Sequence, residues 1–398
     1  MKVALLGPHP AATWPGAAPL AGGVDAVVAV LAPALAARQD IDLSVVTAVA
    51  GLTQPLRREG HGYTIYSVPR PRGGRLTGQR AVQAHLRAQI AALAPDIVHA
   101  HSAGIYAGAA LGSNAPAVIT LHGIIYREMQ QAWPESSWPS RLRMLADARF
   151  ERVVVHRARE IIAISPYVQN VFRSLTRARF HLVENPADGR FFTVALPPPG
   201  RDRLLCVGRV ISRKGILALI EAFALIVQAR PAATLVIAGE TESAPQYVAR
   251  CMARAAELAM TDRVRFAGGM TPDAVRAEYA ACDLVLLASE QETAPVTIAE
   301  ALAAGRAVVT TDAGGCAAMV EDGVTGRVVP PRAPTGLAAA VLELLAAPER
   351  LGRMGQAARA AAERRFRLDA VVDATLAVYR EVLAHPSGGQ PASKGMTT

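Results

Sequence analysis

One stretch limits this chain more than any other: residues 289–304, S-E-Q-E-T-A-P-V-T-I-A-E-A-L-A-A, directly after the apolar run 284–288. A short apolar run bounded by turn residues reads as a buried strand. Pro295 fits the first turn of a helix, where its missing N–H is not needed, and the Ala, Ile and Leu residues beyond it are good helix formers. The segment is therefore strand, loop, helix. At the carboxyl end of a parallel strand, a helix N-terminus presents free N–H groups and the positive end of a dipole, which is where phosphates settle in open α/β sheets. Glu292 lies in the loop and Glu300 about two turns into the helix. Carboxylates do not belong beside phosphate, so both are expected to accept charge-assisted hydrogen bonds from hydroxyl groups of a sugar or ribose. Each could, taken singly, be a solvated surface carboxylate. Glu300, however, interrupts the apolar run I-A-E-A-L-A-A-G, where a charge is either at a helix edge or specifically bound. Phosphates beside hydroxyls suggest a nucleotide-sugar.

The Glu292-x7-Glu300 pair is followed by E-A-L-A-A-G-R-A-V-V-T-T-D-A-G-G (300–315) and D-G-V-T-G-R-V-V-P (322–330). In that context it resembles the donor-binding half of retaining GT-B glycosyltransferases of the GT4-like family (glycosyltransferase group 1), with further matches over nearly the whole chain. The resemblance implies an α/β chain of two Rossmann-like domains facing across an interdomain cleft, with C-terminal helices crossing back to the N-terminal domain. The expected boundaries are an acceptor-binding domain at 1–187, a linker at 188–200, a donor-binding domain at 201–365, a returning helix at 366–385 and a disordered tail at 386–398. Many members carry Phe-Gly where Ala294-Pro295 stands here, so one backbone N–H that could touch donor phosphate or sugar is missing.

With 398 residues, 51% hydrophobic and 19% charged, the chain can fill two cores. No run of apolar residues is long enough to cross a bilayer, and M-K-V-A-L-L-G-P enters a turn too soon for a secretory signal, so a cytoplasmic protein is expected. Cys206, Cys251, Cys282 and Cys316 are scattered, without metal-ligand spacing, and are expected as buried thiols with no metal site. The formal charge of +9 is nearly all Arg, because Lys occurs only at 2, 214 and 394. Either a base-composition bias or attraction to anionic phosphates accounts for it. No basic stripe interleaved with aromatics is present, so nucleic acid is not an expected partner.

Residues 2–7 read as a strand, followed by a Pro-rich loop, then Gly22-Gly23 and a helical pattern from Asp25 to Arg38. Gly22 and Gly23 let backbone approach a phosphate closely; in the resembled family a glycine-rich loop here faces the donor diphosphate. Strand and helix patterns then alternate at 42–48, 63–68, 80–93, 96–100 and 117–121, a rhythm that predicts a parallel sheet. His99 and His101 read as structural histidines. His122, in T-L-H-G, lies just past a strand, and its resemblance to a family position near the donor sugar marks it as a sugar-contacting or transition-state residue. The loop aromatics Trp133 and Trp138 read as packing rather than as sites.

Residues 196–200, L-P-P-P-G, form a stiff linker. After it R-L-L-C-V-G-R-V-I-S-R-K-G-I-L places Gly208, Arg209 and Lys214 between a strand end and a helix start, where guanidinium and ammonium groups can hold a diphosphate and stabilise it as it leaves. In the resembled enzymes this pair does the work of a metal, so no metal or other cofactor is expected, and the loop near Met270 reads the base through its backbone. Ala294, Pro295 and Val296 complete the expected donor site. The reading is a retaining hexosyltransferase acting on a nucleotide-diphosphate sugar, a UDP-sugar in first place, with Glu292, His122, Arg209 and Lys214 as catalytic residues and a hydroxyl as acceptor. Its alternatives are a nucleotide-sugar-binding protein without turnover and a GT-B phosphorylase, the latter with almost no lysine for a Schiff base. The Arg-rich helix at 141–159 leaves peripheral association with a membrane surface, and a lipid acceptor, open beside soluble acceptors.

Overall fold

The computed structural model describes residues 1–9, 23–74, 79–133, 137–195 and 200–385. Gly22, most of the Pro-rich N-terminal loop, linker residues 196–199 and the tail lie outside the described residues.

The first half runs β1 (Lys2–Leu6), α1 (Gly23–Ala36), β2 (Asp42–Ala50), β3 (Leu56–Glu59), β4 (Thr64–Arg70), α2 (Arg80–Leu93), β5 (Ile97–His101) and α3 (Ile105–Ala110). It continues through β6 (Ala117–Leu121), α4 (Ile125–Ala132), α5 (Trp138–Arg157), β7 (Glu160–Ala163), α6 (Pro166–Phe172) and β8 (Arg179–Leu182). The second half begins with β9 (Arg203–Val207), α7 (Ile216–Ala229), β10 (Thr234–Ala238), α8 (Pro245–Glu257), β11 (Val264–Gly268), α9 (Pro272–Ala281) and β12 (Leu284–Leu287). It closes with α10 (Val296–Ala303), β13 (Ala307–Thr311), α11 (Cys316–Met319), β14 (Gly326–Val329), α12 (Pro334–Leu345), α13 (Pro348–Arg365) and α14 (Leu368–Ala384).

Two sheets result, ordered β3-β4-β2-β1-β5-β6-β7-β8 and β11-β10-β9-β12-β13-β14. Every pairing is parallel except β3 with β4. The central strands are buried along their whole length, as LVLL in β12 and AVVTT in β13, because helices cover both faces. The antiparallel edge strand β3, L-R-R-E, had no alternating apolar signal; its charges blunt an edge that would otherwise invite further pairing.

Local rules explain the elements around the cleft. Helix α7 buries Ile216, Leu219, Ile220, Phe223 and Ile226, one face at helical spacing. It starts at Gly215, whose φ is 66° and where a Cβ would lie 1.9 Å from the Ala288 carbonyl oxygen, so only glycine lets α7 abut β12. Helix α10 begins at Val296, with Pro295 one residue ahead in extended conformation, so Glu300 stands little more than one turn in rather than two. The C-terminal helical stretch breaks at Phe366, and α14 crosses to the first sheet. There Val371, Val372, Leu376, Val378, Tyr379 and Val382 share one core with Val28, Leu31 and Leu35 of α1. All four cysteines are buried and unpaired.

Candidate active site

The two sheets meet over a cavity of about 460 Å³ at the carboxyl ends of β6, β9 and β12. Gly23, His122, Arg209, Lys214, Glu292, Ala294, Pro295 and Val296 all line it, so segments far apart in the sequence converge on one volume. Gly208 lies just behind, with its φ at 145° and the Lys214 side chain against it.

Glu292 sits at the centre and is 6% exposed. Lys214 Nζ donates to its Oε1 at 2.5 Å, Ser289 Oγ donates to the same oxygen at 2.9 Å, and Arg213 Nη1 reaches Oε2 at 3.4 Å. Burial alone would raise the carboxyl pKa, but Lys214 and Arg213 outweigh it and hold the group below the ordinary carboxylate value. Arg209 is exposed at the rim and, among the described residues, its side chain has no hydrogen-bond or ion-pair partner, only its carbonyl accepting from Ile211 N–H. An uncommitted guanidinium thus stands on the same cavity as Val296 and Thr297 of the first turn of α10, the helix end whose N–H groups lack intrahelical partners.

The opposite wall belongs to the first half. His122 follows β6 and its Nε2 lies 2.7 Å from Nδ1 of His101. Burial lowers its pKa to about 4, against a smaller opposing hydrogen bond with Asn185, so the ring is neutral at ordinary pH. The loop carrying Glu292 is held from both sides: Ser165 Oγ donates to the Thr293 carbonyl at 2.7 Å, Tyr167 hydroxyl to Gln291 Oε1 at 3.2 Å, and Gly315 N–H to the Glu292 carbonyl at 3.0 Å.

Two family models tile this arrangement: Glycosyltransferase Family 4 matches residues 21–190 and Glycosyl transferases group 1 matches residues 190–361. The chain belongs to the group 1 glycosyltransferases. Among curated relatives, D-inositol 3-phosphate glycosyltransferase of Segniliparus rotundus is 36% identical over 185 residues, covering 46% of this chain and 41% of the relative. Alpha-D-kanosaminyltransferase of Streptomyces kanamyceticus is 32% identical over 182 residues, covering 46% of each. The matched part is thus less than half the length of either relative. Among solved structures, sucrose-phosphate synthase from Thermosynechococcus elongatus aligns with a TM-score of 0.78 at 21% identity, over 96% of this chain and 99% of that one. Anabaena HepE in complex with UDP aligns with a TM-score of 0.72 at 20% identity, over 96% of this chain and all of that one. The fold is GT-B.

Against this group 1 frame, two expected residues besides Gly208 stand off the cavity lining. Glu300 is half-buried, and its Oε2 accepts from the Tyr279 hydroxyl at 3.2 Å; burial chiefly raises its pKa, to about 7. Met270, partly buried, packs with Val207 and Ala267 against the core that includes Leu205, Ala238 and Leu287. The sequence reading missed Arg213, although it adjoins Lys214. It also missed Glu151, an acid buried within an Arg-rich helix, which accepts from the Ile125 and Tyr126 N–H groups at 2.7 and 3.2 Å and so caps α4 just after His122. His99 is a satisfied core histidine as read, whereas His101 is joined to His122. Trp138 is 69% exposed, so packing does not account for it.

Proposed function

We propose that this glycosyltransferase moves a hexosyl group from a nucleoside diphosphate sugar, a UDP-sugar, to an acceptor hydroxyl with retention at the anomeric carbon. One observation carries the reading: Arg209, Lys214 and the N-terminus of α10 converge on the cavity that His122 faces from the other half. Those positive groups suit a diphosphate, and the complexes of HepE with UDP and with UDP-glucose support a UDP-sugar. Glu292, held ionised by Lys214, Arg213 and Ser289, serves as an acceptor for sugar hydroxyls and not as a free nucleophile. Attack therefore comes from the face the leaving group departs from. The acceptor oxygen bonds to the anomeric carbon as the carbon–phosphate oxygen bond breaks, and the acceptor proton passes to the leaving phosphate. Arg209 and Lys214 stabilise the charge that develops there. Glu300 takes the ribose hydroxyls and the backbone near Met270 the base.

No metal is required in this scheme, because the cations of the chain do the neutralising. On α5, the apolar Trp138, Leu142, Leu145 and Val153 and the basic Arg143, Arg149, Arg152 and Arg157 are all exposed. That mixed face supports peripheral attachment to an anionic membrane surface and a lipid-linked acceptor; no helix is long and apolar enough to cross a membrane among the described residues.

The test is incubation with UDP-, GDP-, ADP- and dTDP-sugars in EDTA, following nucleotide release and thermal shift, beside Arg209→Ala. One UDP-sugar should stabilise the protein and be slowly hydrolysed. Arg209→Ala should leave the unliganded melting temperature unchanged and weaken donor binding by roughly tenfold or more, since an exposed, unpaired side chain adds nothing to the fold. Stabilisation without release would favour a binding protein, and activity restored only by added metal would overturn the clamp.

A further inference from the structure

Strand β5 carries His99 and His101 two residues apart, hence on one face of the sheet, and both are 1% exposed. His99 is fully provided for: Nδ1 lies 2.6 Å from the Tyr379 hydroxyl of α14 and Nε2 lies 2.6 Å from Thr120 Oγ1. His101 is not. Its Nδ1 is 2.7 Å from His122 Nε2, but its own Nε2 is buried with no partner. The rings of His101 and His122 are nearly parallel, 16° apart with centroids separated by 5.0 Å.

Burial keeps both rings neutral. A neutral imidazole has one N–H and one bare nitrogen, so a single proton lies between the facing nitrogens. If His122 donated it, the N–H of His101 would sit on Nε2, a buried donor with nothing to receive it. If His101 donates it, the unpartnered atom is only a bare nitrogen. Orphaned buried N–H groups are the rarer fault in folded proteins, so the second arrangement wins. A separate contact agrees. His122 also hydrogen-bonds Asn185, and with Nε2 spent on His101 that bond is made from Nδ1, where the second arrangement puts the proton.

We propose that His101 is a positioning residue that fixes His122 as its Nδ1–H tautomer, a neutral hydrogen-bond donor held against Asn185 until a hydroxyl oxygen of the donor sugar takes its place. His122 then cannot act as a base through Nδ1 in the resting state. The inference rests on the reading of His122 as a sugar-contacting group and goes further, by assigning the proton and the residue that holds it there.

Side-chain 15N–1H correlation spectra of the full chain labelled at histidine test the assignment directly, the His122 signals being identified by their loss in His122→Ala. His122 should show a protonated Nδ1 and a bare Nε2 in the wild type. In His101→Leu that tautomer should be lost, and kcat/KM for the donor should fall by roughly tenfold to a hundredfold, as for the partners that fix histidine tautomers in metal sites. His101→Asn, whose amide nitrogen can donate from the same place, should restore both the tautomer and most of the activity. A protonated Nε2 in wild-type His122, or a Leu variant as active as the Asn variant, overturns the proposal. Should the Leu variant not fold, the wild-type spectrum alone decides. Full activity in His122→Ala would instead refute the role of His122, while the tautomer would still be read from the wild-type spectrum.

Discussion

Replacing Lys214 by Met removes the ammonium 2.5 Å from Glu292 and leaves that carboxylate, 6% exposed, with Arg213 at 3.4 Å and Ser289 at 2.9 Å. Breaking a buried ion pair by deleting one partner costs about 3–5 kcal/mol. Two partners remain here, so a loss of about 2–3 kcal/mol is expected for Lys214→Met at neutral pH. Glu292→Gln keeps the shape and removes the charge, and the double variant Lys214→Met/Glu292→Gln should be more stable than the sum of the two singles predicts, by about 1–3 kcal/mol. The sign with pH follows from the carboxyl being held below its ordinary value: its contribution is present above the unfolded pKa near 4.5 and is lost as pH falls through the folded value. The gap between wild type and Lys214→Met should therefore close in acid. All three tryptophans, Trp14, Trp133 and Trp138, lie in the first half. Urea unfolding must consequently be followed by circular dichroism, or by hydrogen exchange in α7 and α10, and not by tryptophan emission. If the two changes add to within about 0.5 kcal/mol, the pair is not coupled and the account of Glu292 fails.

Two further outcomes follow from the same cleft. Glu300, raised to about 7 chiefly by burial, keeps a proton that the unfolded chain releases, so stability should fall as pH rises from about 4.5 to about 7, and donor KM should fall over the upper part of that range as the carboxylate forms; Glu300→Gln should flatten both slopes, and a wild type with no slope to lose would refute the assignment. A Cβ at Gly315 would lie 1.8 Å from the Thr293 carbonyl oxygen, so Gly315→Ala must displace the loop behind Glu292 and raise donor KM by roughly tenfold or more, whereas Gly336→Ala, in helix α12 with its nearest neighbour at 3.7 Å, should leave KM alone and slightly raise the melting temperature.

The alternation of strands and helices was legible because each period is local: LVLL followed by Pro295 and an Ala-rich run states its own structure. The family resemblance, borne by residues 292–330, added the pairing of two such halves. What stayed hidden was whatever depends on a partner far along the chain. Arg213 looked like one more surface arginine because its target is 79 residues away. His101 looked structural because His122 lies just past the end of the next strand, and nothing in the sequence says which ring nitrogens face each other. Glu151 carried a weak signal, an acid on a basic helix, but its use as a cap for α4 depends on how two consecutive helices fold back on each other.

The crossing of α14 also has a bearing on the order in which the protein can be made. Among the described residues, the core around α1 takes in the buried Val183 and then no further buried residue until Val371, 188 residues later. At about 5–20 residues per second, a ribosome needs roughly 10–40 s to cover that distance. Throughout that interval Val28, Leu31 and Leu35 of a nearly finished first half wait with one side uncovered. The second half, whose sheet draws on one continuous stretch, has no such wait. The half synthesised first is thus the one completed last, and the strip beneath α14 is where a nascent-chain chaperone would find apolar surface to hold.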